Sequence, residues 1–158
     1  MVIKVFGGKM VECKKVKEIF RVTGIKGKGA FASFGTEVPK LAQQFLARLD
    51  EIDNHLDTEI ALFEPKRDDI HLEGHFYVGV IVKETKKEVP VGMDYIETAL
   101  DYVTTRGKIS DLNKLHNNLL KWANEQGYKR NLDSHIVETY HPMVNSEEEV
   151  EIYLPIYI

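Results

Sequence analysis

Two amphipathic segments in this chain sit in matching surroundings, and that repetition limits the possible folds more than any single motif. Between about Glu37 and Ile52, the residues Val38, Leu41, Phe45, Leu49 and Ile52 recur at steps of three and four, forming one stripe of a helix. Thr36 is placed to cap its start, and Pro39 falls in the first turn, where a missing N–H costs little. Between about Asp111 and Gln126, the stripe is Leu112, Leu115, Leu119, Trp122 and Ala123. Ser110 is a plausible cap there, Asp111 favours the positive helix start, and Gly127 is a good stop. A strand pattern running into a Gly-containing turn precedes each helix, Glu18 to Lys28 and Ala99 to Lys108. Two strand patterns follow each helix: 60–65 and 76–82 after the first, 135–142 and 150–157 after the second.

Aligning Pro65 with Pro142 places Phe63 on Tyr140 and Ala61 on Glu138. Aligning Tyr77 with Tyr153 places Gly79 on Pro155. The order of elements therefore predicts an α+β fold built as a single domain over residues 1–158. Two pseudo-symmetric strand-helix-strand-strand units, about 15–88 and 89–158, would form one curved, mostly antiparallel sheet with two main helices on one face. The charged stretch Lys83 to Pro90 would link them. Related halves meet at a pseudo-twofold axis, and a concave sheet leaves a groove there. The charge breaks the symmetry. One half would supply the carboxylate, the other only apolar wall.

Composition narrows the function. The chain has 158 residues and a net charge of −4, with no basic footprint for direct nucleic-acid binding. A single cysteine, Cys13, rules out an internal disulfide and suits a reducing cytosol. No stretch approaches the roughly 20 apolar residues of a membrane span. The apolar part of Met1–Gly8 is too short for a secretory signal. The expected location is the cytoplasm, with no membrane partner.

Candidate chemistry concentrates near the end of the chain. Strand alternation puts Glu138 and Tyr140 on one face, and Tyr153 and Tyr157 on one face of the next strand. If the two strands pair, a carboxylate can lie among phenol rings, which suits a flat, greasy cation. Glutamate usually faces water, so periodicity alone favours a solvated Glu138. Trp122, on a helix stripe, is first a core residue that can also border the groove. His71 and His75 are spaced as a helical metal pair, but Leu72-Glu73-Gly74 reads as a turn, and no cluster completes a zinc site. Lys26-Gly27-Lys28-Gly29 lacks the phosphate-loop Gly-Lys-Ser/Thr and reads as a flexible turn. Glu147-Glu148-Glu149 reads as a solvated hairpin tip, and no Gly-x-Ser-x-Gly element or Cys–His arrangement is present. No metal or cofactor is expected.

Three local patterns resemble the GyrI-like small-molecule-binding domains, which occur alone and as effector domains of AraC-type and BmrR-type regulators. They are Phe76-Tyr77-Val78-Gly79-Val80, the helix ending Trp122-Ala123-Asn124-Glu125-Gln126-Gly127-Tyr128, and Glu138-Thr139-Tyr140 with Glu151-Ile152-Tyr153-Leu154-Pro155-Ile156. Val78 stands where the family often has alanine. The resemblance covers about Lys15 to Ile158 and implies a stand-alone effector domain without a DNA-binding module. It implies a lipophilic or cationic aromatic ligand, held by a buried glutamate at Glu138 and an aromatic partner at Tyr153, with Tyr77 matching the tyrosine before the family's glycine. Tyr140 is an intermediate candidate on the face of Glu138. The resemblance also implies two alternatives: hydrolysis of cyclopropane-bearing toxins with Glu138 handling water, and gyrase-type inhibition through a protein partner.

Overall fold

The computed structural model describes residues 2–6, 9–85 and 88–158. Lys86 and Lys87 of the expected linker, and Met1, Gly7 and Gly8 of the start, lie outside the described residues. The strands are β1 (Val2–Phe6), β2 (Lys9–Ala30), β3 (His55–Phe63), β4 (Glu73–Val82), β5 (Asp94–Lys108), β6 (Ile136–His141) and β7 (Glu149–Pro155). The helices are α1 (Phe34–Leu46) and α2 (Leu112–Glu125). All the strands join one sheet in the order β1-β2-β4-β3-β6-β7-β5, and every pairing is antiparallel. The long strand β2 also pairs with β5, from Cys13↔Thr105 to Gly24↔Asp94, so the sheet curls until its ends meet. The fold is α+β, a curved antiparallel sheet carrying both helices, as the sequence predicts.

Register explains why the helices share a face. Val78, Ala61, Glu138, Ile152 and Thr105 are successive cross-strand partners, so their side chains leave the same side of the sheet. α1 packs there on Phe76, Val78 and Val80, and α2 on Val103, Val150, Ile152 and Leu154. The next row, Tyr77, Leu62, Val137, Tyr153 and Thr104, points to the other side. There Phe20, Val22, Ile60, Tyr102, Val137 and Tyr153 fill the inside of the curl. Burying a side chain such as Phe45 or Leu119 in these clusters is worth about 1.5–3 kcal/mol each.

Each unit reaches its helix through a 3-10 turn, Phe31–Ser33 before α1 and Ile109–Asp111 before α2. This corrects the expected start of the first helix. α1 begins at Phe34 rather than Glu37, so Thr36 lies inside it and caps nothing; Ser33, at the cap position, makes no side-chain cap bond. The turn supplies helical geometry early because the Phe31 and Phe34 rings pack together, 5.2 Å between centroids. Pro39 lies inside the helix, and α1 ends at Leu46, with Leu49–Glu51 a separate 3-10 turn. In α2 the cap position is Asp111, not Ser110, whose N–H instead donates to the Glu147 carboxylate at 2.6 Å. The predicted stop holds. Gly127 has φ +80°, with Gly127 N–H on the Asn124 carbonyl and Tyr128 N–H on the Ala123 carbonyl, a Schellman ending.

Two expected turns are wholly or partly strand. Lys26-Gly27-Lys28-Gly29 belongs to β2, where it pairs with 74–77 of β4, and β4 itself starts at Glu73. The acidic run is not merely a solvated tip: Glu149 opens β7 and holds Arg106 at 2.6 Å.

Candidate functional site

β3 and β6 lie side by side at the middle of the sheet, and Ala61 and Glu138 are direct cross-strand partners. These are the two residues that the Pro65–Pro142 alignment superposes, so the pseudo-twofold axis runs between them. Above them, bounded by α1 and α2, is a cavity of about 640 Å³. Its walls come in related pairs: Phe31 and Ile109 from the 3-10 turns, Phe34 and Leu112 from the helix starts, Phe63 and Tyr140 from the strands.

Polarity is concentrated where the pairs differ. Val38 of α1 corresponds to His116 of α2, Ala61 to Glu138, and Phe63 to Tyr140. The three polar members are joined. Glu138 is 6% exposed; its Oε1 accepts the Tyr140 hydroxyl at 2.7 Å and its Oε2 accepts the His116 Nε2–H at 2.7 Å. Burial, and then the Glu138 charge, push the Tyr140 phenol well above its ordinary range, so it remains a donor. A carboxylate placed among apolar walls costs hydration, and each charge-assisted hydrogen bond offsets about 1.5–3 kcal/mol of that.

The first unit is not purely apolar, which corrects the sequence expectation. Glu59 shares the face of Ala61, sits opposite Tyr140, and lines the cavity together with Glu148. Burial first, and the nearby Glu148 second, raise the Glu59 carboxyl above its usual range. Near Phe63 and Pro65, Glu64 also lines the cavity. It accepts the His75 backbone N–H at 2.9 Å, the Arg67 guanidinium at 3.0 Å, and the rings of His71 and His75, each at 3.1 Å. Burial pushes Glu64 up, but these donors outweigh it and hold the group below its ordinary range. His71 and His75 thus converge on a carboxylate, and among the described residues no group of three or more side chains is placed to hold a metal. The other ring nitrogen of His75 shares a hydrogen bond with His135 at 2.7 Å. Burial, and next the charge of His75, push His135 from 6.5 down to about 4.

Of the residues singled out from the sequence, Glu138 and Tyr140 meet at the cavity floor. Tyr153, Tyr77 and Trp122 do not line it. Tyr153 pairs in register with Val137, not with Glu138, so it points into the curl. There it stands edge-on to Phe20 at 5.0 Å and Tyr102 at 5.8 Å, and its hydroxyl donates to Glu151 at 2.6 Å. Tyr77 pairs with Leu62 on the same far side, between His75, His135 and Lys26. Trp122 is buried under α2, its ring 5.9 Å from Tyr128. Tyr157 is exposed beyond β7 and bonds Asp133 at 3.2 Å. Sequence reasoning missed His116, Glu59, Phe31 and Phe34. His116 follows Leu112 by four on the apolar stripe, and Glu59 precedes Ala61 by two on one strand face, so both carried a usable signal.

No family model and no curated protein sequence matches this chain. Solved structures do match. SAV2435 bound to tetraphenylphosphonium aligns with a TM-score of 0.66 at 12% identity, over 92% of this chain and 94% of that one. The EcmrR C-terminal domain aligns with a TM-score of 0.63 at 16% identity, over 99% of both. A hydrolase encoded by lin2189 from Listeria innocua aligns with a TM-score of 0.55 at 10% identity, over 92% of both. The structural neighbours of this chain include GyrI-like effector domains, and it shares their fold.

Proposed function

We propose that this chain binds hydrophobic, often cationic, small molecules in the cavity between α1 and α2, with Glu138 as the charge beneath them. The observation that carries this reading is a carboxylate 6% exposed on the floor of an apolar cavity large enough for an aromatic ligand. A cation without hydrogen-bond donors sheds little hydration on entering, and it restores charge balance over Glu138. Its attraction is not directional, so shape need not be matched closely. Ring faces add about 0.5–2 kcal/mol each by cation–π contact, and Phe31, Phe34, Phe45, Phe63 and Tyr140 border the space. Tyr77 and Tyr153 would then support the floor from behind, and Trp122 would pack α2 onto the sheet beside it, rather than touch the ligand. The tetraphenylphosphonium bound by SAV2435 supports the ligand class. No helix among the described residues is long and apolar enough to cross a membrane, and a single cysteine, the buried Cys13, fits action in a reducing cytoplasm. Sequestration of a toxic cation and regulation through a protein partner both require this binding first.

Thermal denaturation with tetraphenylphosphonium or ethidium tests the reading. Saturating ligand raises the melting temperature of the wild type, and Glu138→Gln removes most of that shift while remaining folded. A folded sample stabilised by none of these cations would overturn it.

The His116–Glu138 contact favours a second reading, hydrolysis of an electrophilic cyclopropane. Glu138, aligned by His116, would take a proton from water as its oxygen bonds to carbon, and the ring carbon released would receive a proton. Turnover that is lost in Glu138→Gln while substrate binding remains would distinguish this reading from simple binding.

A further inference from the structure

Glu138 is the carboxylate that the sequence makes conspicuous, yet both its oxygens already hold donors. Glu59 is in the opposite condition. It lines the same apolar cavity, and no hydrogen bond or ion pair engages its carboxylate among the described residues. The neighbouring charge that acts on it is another carboxylate, Glu148. Lys66 also lines the cavity but follows Pro65, at the Glu64 end, and makes no ion pair with Glu59. Tyr140 stands among all three carboxylates, its phenol raised first by burial and then by Glu138, Glu148 and Glu59. The register fixes the spacing. Glu59 faces Tyr140 while Glu138 faces Ala61, so Glu59 and Glu138 are diagonal cross-strand neighbours with Cβ atoms about 7 Å apart.

We propose that this cavity prefers ligands carrying two cationic nitrogens on one apolar body, the first over Glu138 and the second between Glu59 and Glu148. This rests on the reading that the cavity binds lipophilic cations. A single positive charge over Glu138 leaves the other two carboxylates uncompensated in a partly dehydrated space. A second charge a few ångströms away relieves their mutual repulsion and gains attraction from both. Recognition is then a difference between mono- and dications of similar shape, set by Glu59 of the first unit together with Glu148 of the second.

Ethidium and propidium test this, since they share a phenanthridinium body and propidium adds a quaternary ammonium on a short chain. Fluorescence titration of the full chain at fixed ionic strength reads both affinities. Wild-type protein binds propidium about tenfold more tightly than ethidium. In Glu59→Gln, and in Glu148→Gln as an independent variant, that ratio falls toward one. A wild-type ratio near one, or a ratio that survives in both variants, overturns the proposal while leaving cation binding intact. Binding of neither dye overturns the function on which it rests, and this inference with it.

Discussion

At the scale of single residues, the site is a compromise between burial and charge. Glu138 is held at the middle of β6 by the Tyr140 hydroxyl and the His116 ring, each at 2.7 Å. Tyr140→Phe keeps the ring and removes one donor, so the carboxylate loses part of its compensation. The expected cost is about 1–2 kcal/mol in urea denaturation; an unchanged midpoint would mean that this bond contributes nothing to the fold. His135 gives a pH-dependent test away from the cavity. It titrates near 4 in the native state against 6.5 ordinarily, so the folded protein keeps the ring neutral while the unfolded chain takes up a proton. Its contribution is complete above about 6.5 and is lost as pH falls toward 4. His135→Gln therefore flattens the decline of stability across that window, by about 1–2 kcal/mol once its partial exposure is allowed for. A parallel decline in wild type and variant would contradict this. The pairing of Glu138 with Tyr140 could be read from the sequence because it needs only alternation along one strand. The placement of Tyr153 could not. Which face it shares with β6 depends on register, and Val137↔Tyr153 is set by the turn at 142–148 and by packing in the curl.

At the scale of elements, the strands and helices were legible wherever local chemistry acts alone. Gly127 stops α2 because its φ of +80° suits a residue without a side chain. The start of α1 was misplaced because Thr36 is a good cap by type, while the turn at Phe31–Ser33 is held by aromatic packing remote in sequence: Phe31 lies edge-on to His71 at 4.9 Å, and Phe34 is 5.0 Å from Phe76. The Tyr77-Val78-Gly79 segment has a steric reason. Gly79 faces Gly24 across β4 and β2, and a Cβ on Gly79 would lie 2.2 Å from the Thr23 carbonyl oxygen. Gly79→Ala must therefore push two strands apart. It should cost about 3 kcal/mol or more and appear as low yield of folded protein or a much lower urea midpoint. A variant with wild-type stability would show that β2 and β4 can separate at this point with little cost.

At the scale of the whole molecule, the repeated order of elements frames the groove and the differences between its two halves supply its polarity. The twofold axis falls between Ala61 and Glu138, the helices flank it, and substitutions at three related positions, Val38/His116, Ala61/Glu138 and Phe63/Tyr140, turn one wall polar. The repeat and the groove were visible in the order of elements. The place of Glu59 opposite Tyr140 was not legible because it depends on the register of β3 against β6, which no spacing within one strand reveals. If the buried charge of Glu138 draws lipophilic cations into this space, isothermal titration of tetraphenylphosphonium into wild-type and Glu138→Gln protein will separate the two proteins. Saturable, micromolar binding to the wild type is expected, weakening at least about tenfold in the folded variant, a loss of about 1.4 kcal/mol. Equal affinity in the two proteins, or no heat of binding in either, would contradict it.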